Sequence, residues 1–143
     1  MIWFWAVTTI VFGFDQWAKF MVSAYAQEST PIIGSFLHLS RTTNDGAAWG
    51  ILSGQRLLLI IINSCVIAGI IIFRKKLNLN VRSRGVAFGL LLGGILGNFL
   101  DRLRFGAVID FIDVRLPFYR WPTFNFADAA ICIGVLILLL TVE

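Results

Sequence analysis

The sequence predicts an all-α integral membrane protein: four transmembrane helices, with a small extracytoplasmic region of β-structure in the first outer loop. Three observations lead there. Of 143 residues, 58% are hydrophobic and 14% charged, against roughly 45–50% and 25% in ordinary soluble domains. A chain this small has too much surface for its volume to hide that apolar excess from water, so lipid must cover it. The apolar residues gather into four runs, and the basic residues sit at the ends of those runs, as membrane topology requires.

The runs set the expected elements. The first spans residues 2–25 and is interrupted by Asp15 and Lys19. The second, 57–73, is bounded by Arg56 and by Arg74-Lys75-Lys76; the third covers 85–101; the fourth, 126–142, carries Asp128 near its start. Crossing ~30 Å of hydrocarbon takes about 20 helical residues, with about 17 as the lower limit, so all four qualify once flanking residues are counted. Ala24-Tyr25-Ala26 could instead end a cleaved signal peptide. No Lys or Arg precedes the first run, however, and Asp15 and Lys19 lie before the supposed cut, so the run is kept as a helix.

Segment 74–84 holds Arg74, Lys75, Lys76, Arg82 and Arg84 and no acid, which places it in the cytoplasm together with both termini. Loops 26–56 and 102–125 are then outside. In the first outer loop, Ile32-Ile33, Phe36 to Leu39 and Ala47 to Trp49 read as short strands around a turn at Asn44-Asp45-Gly46. In the second, Phe118, Tyr119 and Trp121 beside Arg115 and Arg120 suit the headgroup layer. The whole chain, 1–143, reads as one membrane-embedded domain.

Several chemistries find no support. The formal charge of +4 is spent on topology, not on a nucleic-acid surface. Cys65 and Cys132 lie inside apolar runs and read as small hydrophobes, and His38 is the sole histidine, so neither metal nor cofactor is expected. Lys19 and Ser23 have the spacing of a serine–lysine dyad, but Lys19 reads more simply as a side chain snorkelling to the interface.

In the third run, Gly85, Gly89, Gly93 and Gly97 recur every four residues and form a bare ridge for a neighbouring helix. The ridge leads to Asp101, with Asn98 and Arg102 on the same face. A carboxylate at membrane depth costs ~2.5–3.5 kcal/mol on insertion scales, so each acid there is a functional candidate. Asp128, three residues after the candidate N-cap Asn125, sits where a helix start favours the anion. Its plain reading is a capping acid. Asp110 lies in apolar surroundings that favour the neutral acid, and Asp113 could take its place. One carboxylate kept as anion and one as acid is the arrangement of general acid–base hydrolysis. The rival class is a small proton- or ion-conducting bundle with Asp15, Asp101 and Asp128 along a polar path. Such a path wants ionisable groups at several depths, and the second and fourth runs have none in their inner halves.

Four segments together resemble the lipoprotein signal peptidases (signal peptidase II), the membrane aspartyl peptidases of bacteria. They are Asp15-Gln16-Trp17-Ala18-Lys19, Asn44-Asp45-Gly46-Ala47-Ala48-Trp49, Gly93 to Arg102 running on to Val108-Ile109-Asp110-Phe111, and Phe124-Asn125-Phe126-Ala127-Asp128. The resemblance covers nearly the whole chain. It implies an inner-membrane enzyme, monomeric and with its site near the extracytoplasmic face, that cuts diacylglyceryl-modified prolipoproteins just before the lipidated cysteine. It implies Asp110 and Asp128 as the catalytic pair, with Asp15, Lys19, Asn44, Gly46, Asn98, Asp101, Arg102 and Asn125 binding substrate or positioning the pair. An outer β-cradle is also implied. Ala18, Trp49 and Ala129 depart from the residues common in the family, which bears on substrate preference and not on the pair.

Overall fold

The computed structural model describes residues 1–26 and 29–141. Among them are four α-helices: α1 (Ile2–Tyr25), α2 (Arg56–Phe73), α3 (Arg82–Phe105) and α4 (Phe126–Leu140). Four strands, β1 (Thr30–Ile33), β2 (Leu37–Asn44), β3 (Val108–Leu116) and β4 (Tyr119–Arg120), form one antiparallel sheet in that order. Residues 27 and 28 of the first outer loop and Val142 of the fourth run lie outside the described residues.

The bundle has its polarity reversed relative to a soluble protein. Ile10, Trp17 and Phe20 of α1, Leu57 and Ile72 of α2, and Leu139 of α4 are exposed, while Asp15, Lys19, Asn98, Asp101, Asp110 and Asn125 are buried. That distribution suits a lipid surround. Two helices, α2 and α3, are long and apolar enough to cross a membrane. Helix α1 holds its charges inside the protein, and α4 is a shorter apolar helix of 15 residues.

Helix α3 is the central post, and its glycines allow close contact on two sides. A β-carbon at Gly89 would lie 2.8 Å from the Phe4 carbonyl oxygen, and one at Gly93 would lie 2.8 Å from Val11, both on α1. On the other side, a β-carbon at Gly94 would lie 2.5 Å from the Ala127 carbonyl oxygen of α4. Backbone cannot yield as a flexible side chain can. Gly94→Ala is therefore expected to lower the thermal midpoint in detergent by several degrees, in line with the ~1–3 kcal/mol that overpacking costs. A midpoint equal to wild type would show that α4 shifts freely.

The third helix is longer than the 85–101 read from hydropathy. Its first turn includes Arg82, whose guanidinium lies 4.5 Å from the Trp3 ring centroid. A charged side chain at a helix end can turn outward, so hydropathy marks where the apolar segment stops, not where the helix does. At the other end α3 runs to Phe105 and stops at Gly106, whose φ of 82° suits a residue without a β-carbon. Arg56 caps these last carbonyls from α2, donating from Nε to the Arg102 oxygen (2.9 Å) and from Nη2 to the Leu103 oxygen (3.0 Å).

The sheet corrects the sequence reading more deeply. It is not confined to the first outer loop: β2 pairs with β3 of the second, Thr42 opposite Asp110 and His38 opposite Asp113. Nor are Ala47 to Trp49 a strand. Asn44 Oδ1 accepts from the Gly46 N–H at 3.0 Å, which turns the chain locally, and Ala48–Gly50 forms a 3-10 turn with Trp49 at φ 55°.

Candidate active site

Asp110 and Asp128 reach one cavity from two elements. Asp110 projects from β3 and Asp128 from the first turn of α4, and both line a cavity of about 930 Å³ bounded by α2, α3, α4 and the loop after β2. Asp110 and Asp113 are three apart on β3, and an odd separation on a strand sends them to opposite faces. Asp113 accordingly lies away from the cavity and is fully buried, receiving Ser40 Oγ at 2.9 Å and guanidinium groups of Arg115 and Arg120 at 2.6 and 2.7 Å. Burial pushes Asp113 up, but hydrogen bonds from Arg120, Arg115 and Ser40 outweigh it and hold the carboxyl well below the usual carboxylate range. It ties the sheet together.

Asn125 joins the pair. Its Nδ2 donates to Asp110 Oδ1 (2.7 Å), its Oδ1 accepts from the Asp128 N–H (2.9 Å), and its own N–H donates to Asp128 Oδ2 (3.2 Å). The last two bonds are a capping box, so the start of α4 and the placement of Asp128 are one arrangement. The other Asp128 oxygen, Oδ1, receives Asn98 Nδ2 at 2.7 Å. The second oxygen of Asp110 receives Asn44 Nδ2 at 3.2 Å. Backbone N–H groups hold the carbonyl oxygens of Asn44 and Asn125, so both amides must present their NH2 groups to Asp110. Burial, and next the neighbouring Asp128 carboxylate, still push Asp110 up to about 7 against the lowering pull of these two donors.

Behind the cavity lies a buried ion cluster. Lys19 Nζ sits 2.8 Å from Asp15 Oδ2 and 2.8 Å from Asp101 Oδ2, and it donates to Asn98 Oδ1 at 3.0 Å. Lys19 is thus buried between two acids, not snorkelling outward as its sequence position suggested. The buried Ser23 hydroxyl makes no hydrogen bond, so no serine–lysine dyad forms. The cluster also grips the chain just before each member of the pair. Asp101 Oδ2 accepts the N–H of Ile109 at 3.2 Å, and Asp15 Oδ1 accepts that of Ala127 at 2.9 Å. Arg102 reaches the loop instead, donating from Nη2 to the Gly46 oxygen at 2.7 Å. A β-carbon at Gly46 would lie 2.8 Å from the Ile51 oxygen, so the turn has no room for one.

All ten residues singled out by the resemblance therefore fall in one connected network. Two further polar residues, one in that network and one on the cavity wall beside it, are not singled out by the sequence. Gln16 donates to Asp101 Oδ1 at 2.9 Å, a contact that its i,i+3 spacing with Lys19 could have suggested. Asn63 of α2 lines the cavity, and its only signal is an amide in an apolar helix. Among the described residues no cluster of His, Cys, Asp and Glu could hold a metal ion.

Two carboxylates on one cavity, inside a helical bundle whose apolar faces point outward, are the layout of a membrane protein with a paired-acid site. The family model described as signal peptidase (SPase) II matches residues 7–142. The lipoprotein signal peptidase of Geobacillus kaustophilus (strain HTA426) is 43% identical over 140 residues, covering 96% of this chain and 90% of that protein. That of Bacillus subtilis (strain 168) is 38% identical over 137 residues, covering 94% and 89%. A bacterial membrane enzyme solved by the in meso method at 2.3 Å resolution superposes with a TM-score of 0.85 at 36% identity, covering 94% of this chain and 84% of that one. The chain belongs to the signal peptidase II family.

Proposed function

We propose that the chain removes lipoprotein signal peptides as an aspartyl endopeptidase, with Asp110 and Asp128 activating one water between them. The family makes it a protease of lipoprotein precursors, and the ion-conducting alternative falls away. The observation that carries the mechanism is Asn125, which binds both carboxylates at the wall of one cavity. Asp128, at the helix start with two donors on its oxygens, is suited to be the anion. Asp110, buried beside that charge, is suited to be the acid.

Hydrolysis then follows in two steps. Asp128 takes a proton from water as its oxygen attacks the scissile carbonyl carbon, while Asp110 donates its proton to the carbonyl oxygen. The resulting gem-diol collapses as the leaving nitrogen receives the proton held by Asp128, the C–N bond breaks, and a diol proton returns to Asp110. No covalent intermediate forms. The substrate is a prolipoprotein cut just before its diacylglyceryl-cysteine. The enzyme is a monomeric single domain of four transmembrane helices in the bacterial inner membrane, with both termini cytoplasmic and the sheet and cavity mouth at the outer face. The basic 74–84 segment and the lipid-facing apolar surfaces support that placement. Held by its own membrane helix, the substrate meets the pair at a fixed depth.

The test is the pH dependence of kcat/KM on a diacylglyceryl-modified prolipoprotein. The proton that Asp110 must carry is lost as pH rises through about 7, so activity falls on that side. On the acid side it falls as the pair takes up a second proton. Asn125→Ala removes a donor that favours the Asp110 anion, so the alkaline limb is expected to move to higher pH. An unmoved limb in this variant would remove Asn125 from the account.

A further inference from the structure

We infer that Asn63 is a positioning residue that hydrogen-bonds a main-chain carbonyl of the signal peptide just upstream of the scissile bond. The inference rests on the peptidase reading above and extends it to the far wall of the cavity.

Helix α2 is apolar from Leu57 to Ile62 and again after Cys65, with Asn63 and Ser64 between. The two polar residues behave differently. Ser64 Oγ returns to its own helix, donating to the Ile60 oxygen at 2.8 Å. Asn63 lines the cavity with Leu59, Ile95, Asp128 and Cys132, and no side-chain hydrogen bond to it is formed among the described residues. Asn63 is half-buried and open to the cavity, and a polar side chain at membrane depth that faces a cavity marks a ligand path by default.

Its depth fits one acceptor. Arg56 fixes the first turn of α2 against the Arg102 and Leu103 carbonyls of α3. Descending seven residues along both helices brings Asn63 level with about Ile95, roughly one turn below Asn98 and its bond to Asp128. A signal-peptide helix entering from the membrane must unwind to extend its scissile bond across the pair. Its last four carbonyls then have no partner within the helix, and no water within the hydrocarbon supplies one. About 5 Å upstream of the cut is one to three residues of chain, depending on how far it has unwound. A single amide NH2 at that level, on the wall of the same cavity as the pair, meets one of those carbonyls.

The diacylglyceryl group offers ester carbonyls of the same chemistry, so the experiment separates the two. Wild type, Asn63→Leu and Asn63→Gln are compared in detergent for kcat, KM and thermal midpoint. The substrates are one prolipoprotein with a diacyl lipid and the same prolipoprotein with an ether-linked dialkyl lipid. Asn63→Leu is expected to lower kcat/KM roughly 3- to 10-fold, mainly through KM, and on both substrates alike. Its midpoint should equal or exceed that of wild type, since an unpartnered amide has gone. Asn63→Gln, which keeps the donor, should recover at least half the loss. Cleavage by Asn63→Leu within twofold of wild type would overturn the inference. So would a loss seen only with the diacyl substrate, which would assign the amide to the ester, or equal losses in both variants with a lowered midpoint, which would make Asn63 structural. A wild type that cuts neither substrate would instead overturn the peptidase reading, and this inference with it.

Discussion

Asp110→Asn and Asp128→Asn are each expected to reduce cleavage of a lipidated prolipoprotein by roughly a thousandfold or more, with the fold intact. Neither amide can play its carboxyl's part: Asn at 110 has no acidic proton to give, and Asn at 128 cannot accept one. The two variants should differ in stability. Folding keeps a proton on Asp110 that the unfolded chain releases near its ordinary value of 3.8. The folded state therefore loses ground as pH rises from that value through about 7, and the loss is complete above it. Asparagine does not titrate. Asp110→Asn should melt about 2–5 °C above wild type at pH 8, with the advantage shrinking or reversing at pH 5. The reversal has a cause in the site, because both Asp110 oxygens accept amide hydrogens and the new NH2 group faces one of them. Asp128→Asn should melt lower near pH 6, since the capping box loses charge at the helix start. Near-normal cleavage by either variant would strip that residue of its role. A midpoint difference independent of pH would refute the protonated state of Asp110.

Lys19→Met is expected to be the most damaging change away from the cavity wall. It leaves Asp15 and Asp101 buried without their common cation, a loss of about 3–5 kcal/mol for a broken buried pair. In detergent this should appear as a midpoint lowered by roughly 10 °C or more. Activity should fall further than unfolding explains, because these two acids hold the N–H groups of Ile109 and Ala127, the residues just before Asp110 and Asp128. Adding Asp15→Asn and Asp101→Asn to Lys19→Met removes the stranded charges and should restore part of the stability without restoring full cleavage. If the triple variant is no more stable than the single one, the cluster's charges are not what holds this region.

What the sequence made legible follows from the range over which each signal acts. Hydropathy is local, so the four helices could be read directly, and charges at the ends of α3 hid only its first and last turns. The i, i+3, i+4 spacing placed Asn98, Asp101 and Arg102 on one face, and that face is buried. Strand pairing between β2 and β3 joins segments about 70 residues apart, and nothing in either announces the other. The choice between Asp110 and Asp113 stayed open for the same reason. It turns on strand parity, which needs the strand to be known first. Lys19 has one acid, Asp15, four residues before it on its own helix, but the second, Asp101, joins it only when α1 and α3 pack together. That second contact is what turns a side chain able to snorkel into a buried one.

The capping box at the start of α4 closes off an evolutionary route. An inhibitor bound across Asp110, Asp128 and Asn125 would touch atoms that also begin a helix and bind the chain to itself. A substitution that weakened such an inhibitor there would disturb the proposed pair, the helix start, or both. Resistance would have to arise farther out, at apolar residues of the cavity wall such as Leu59, Ile62 and Cys132, whose side chains take no part in that network.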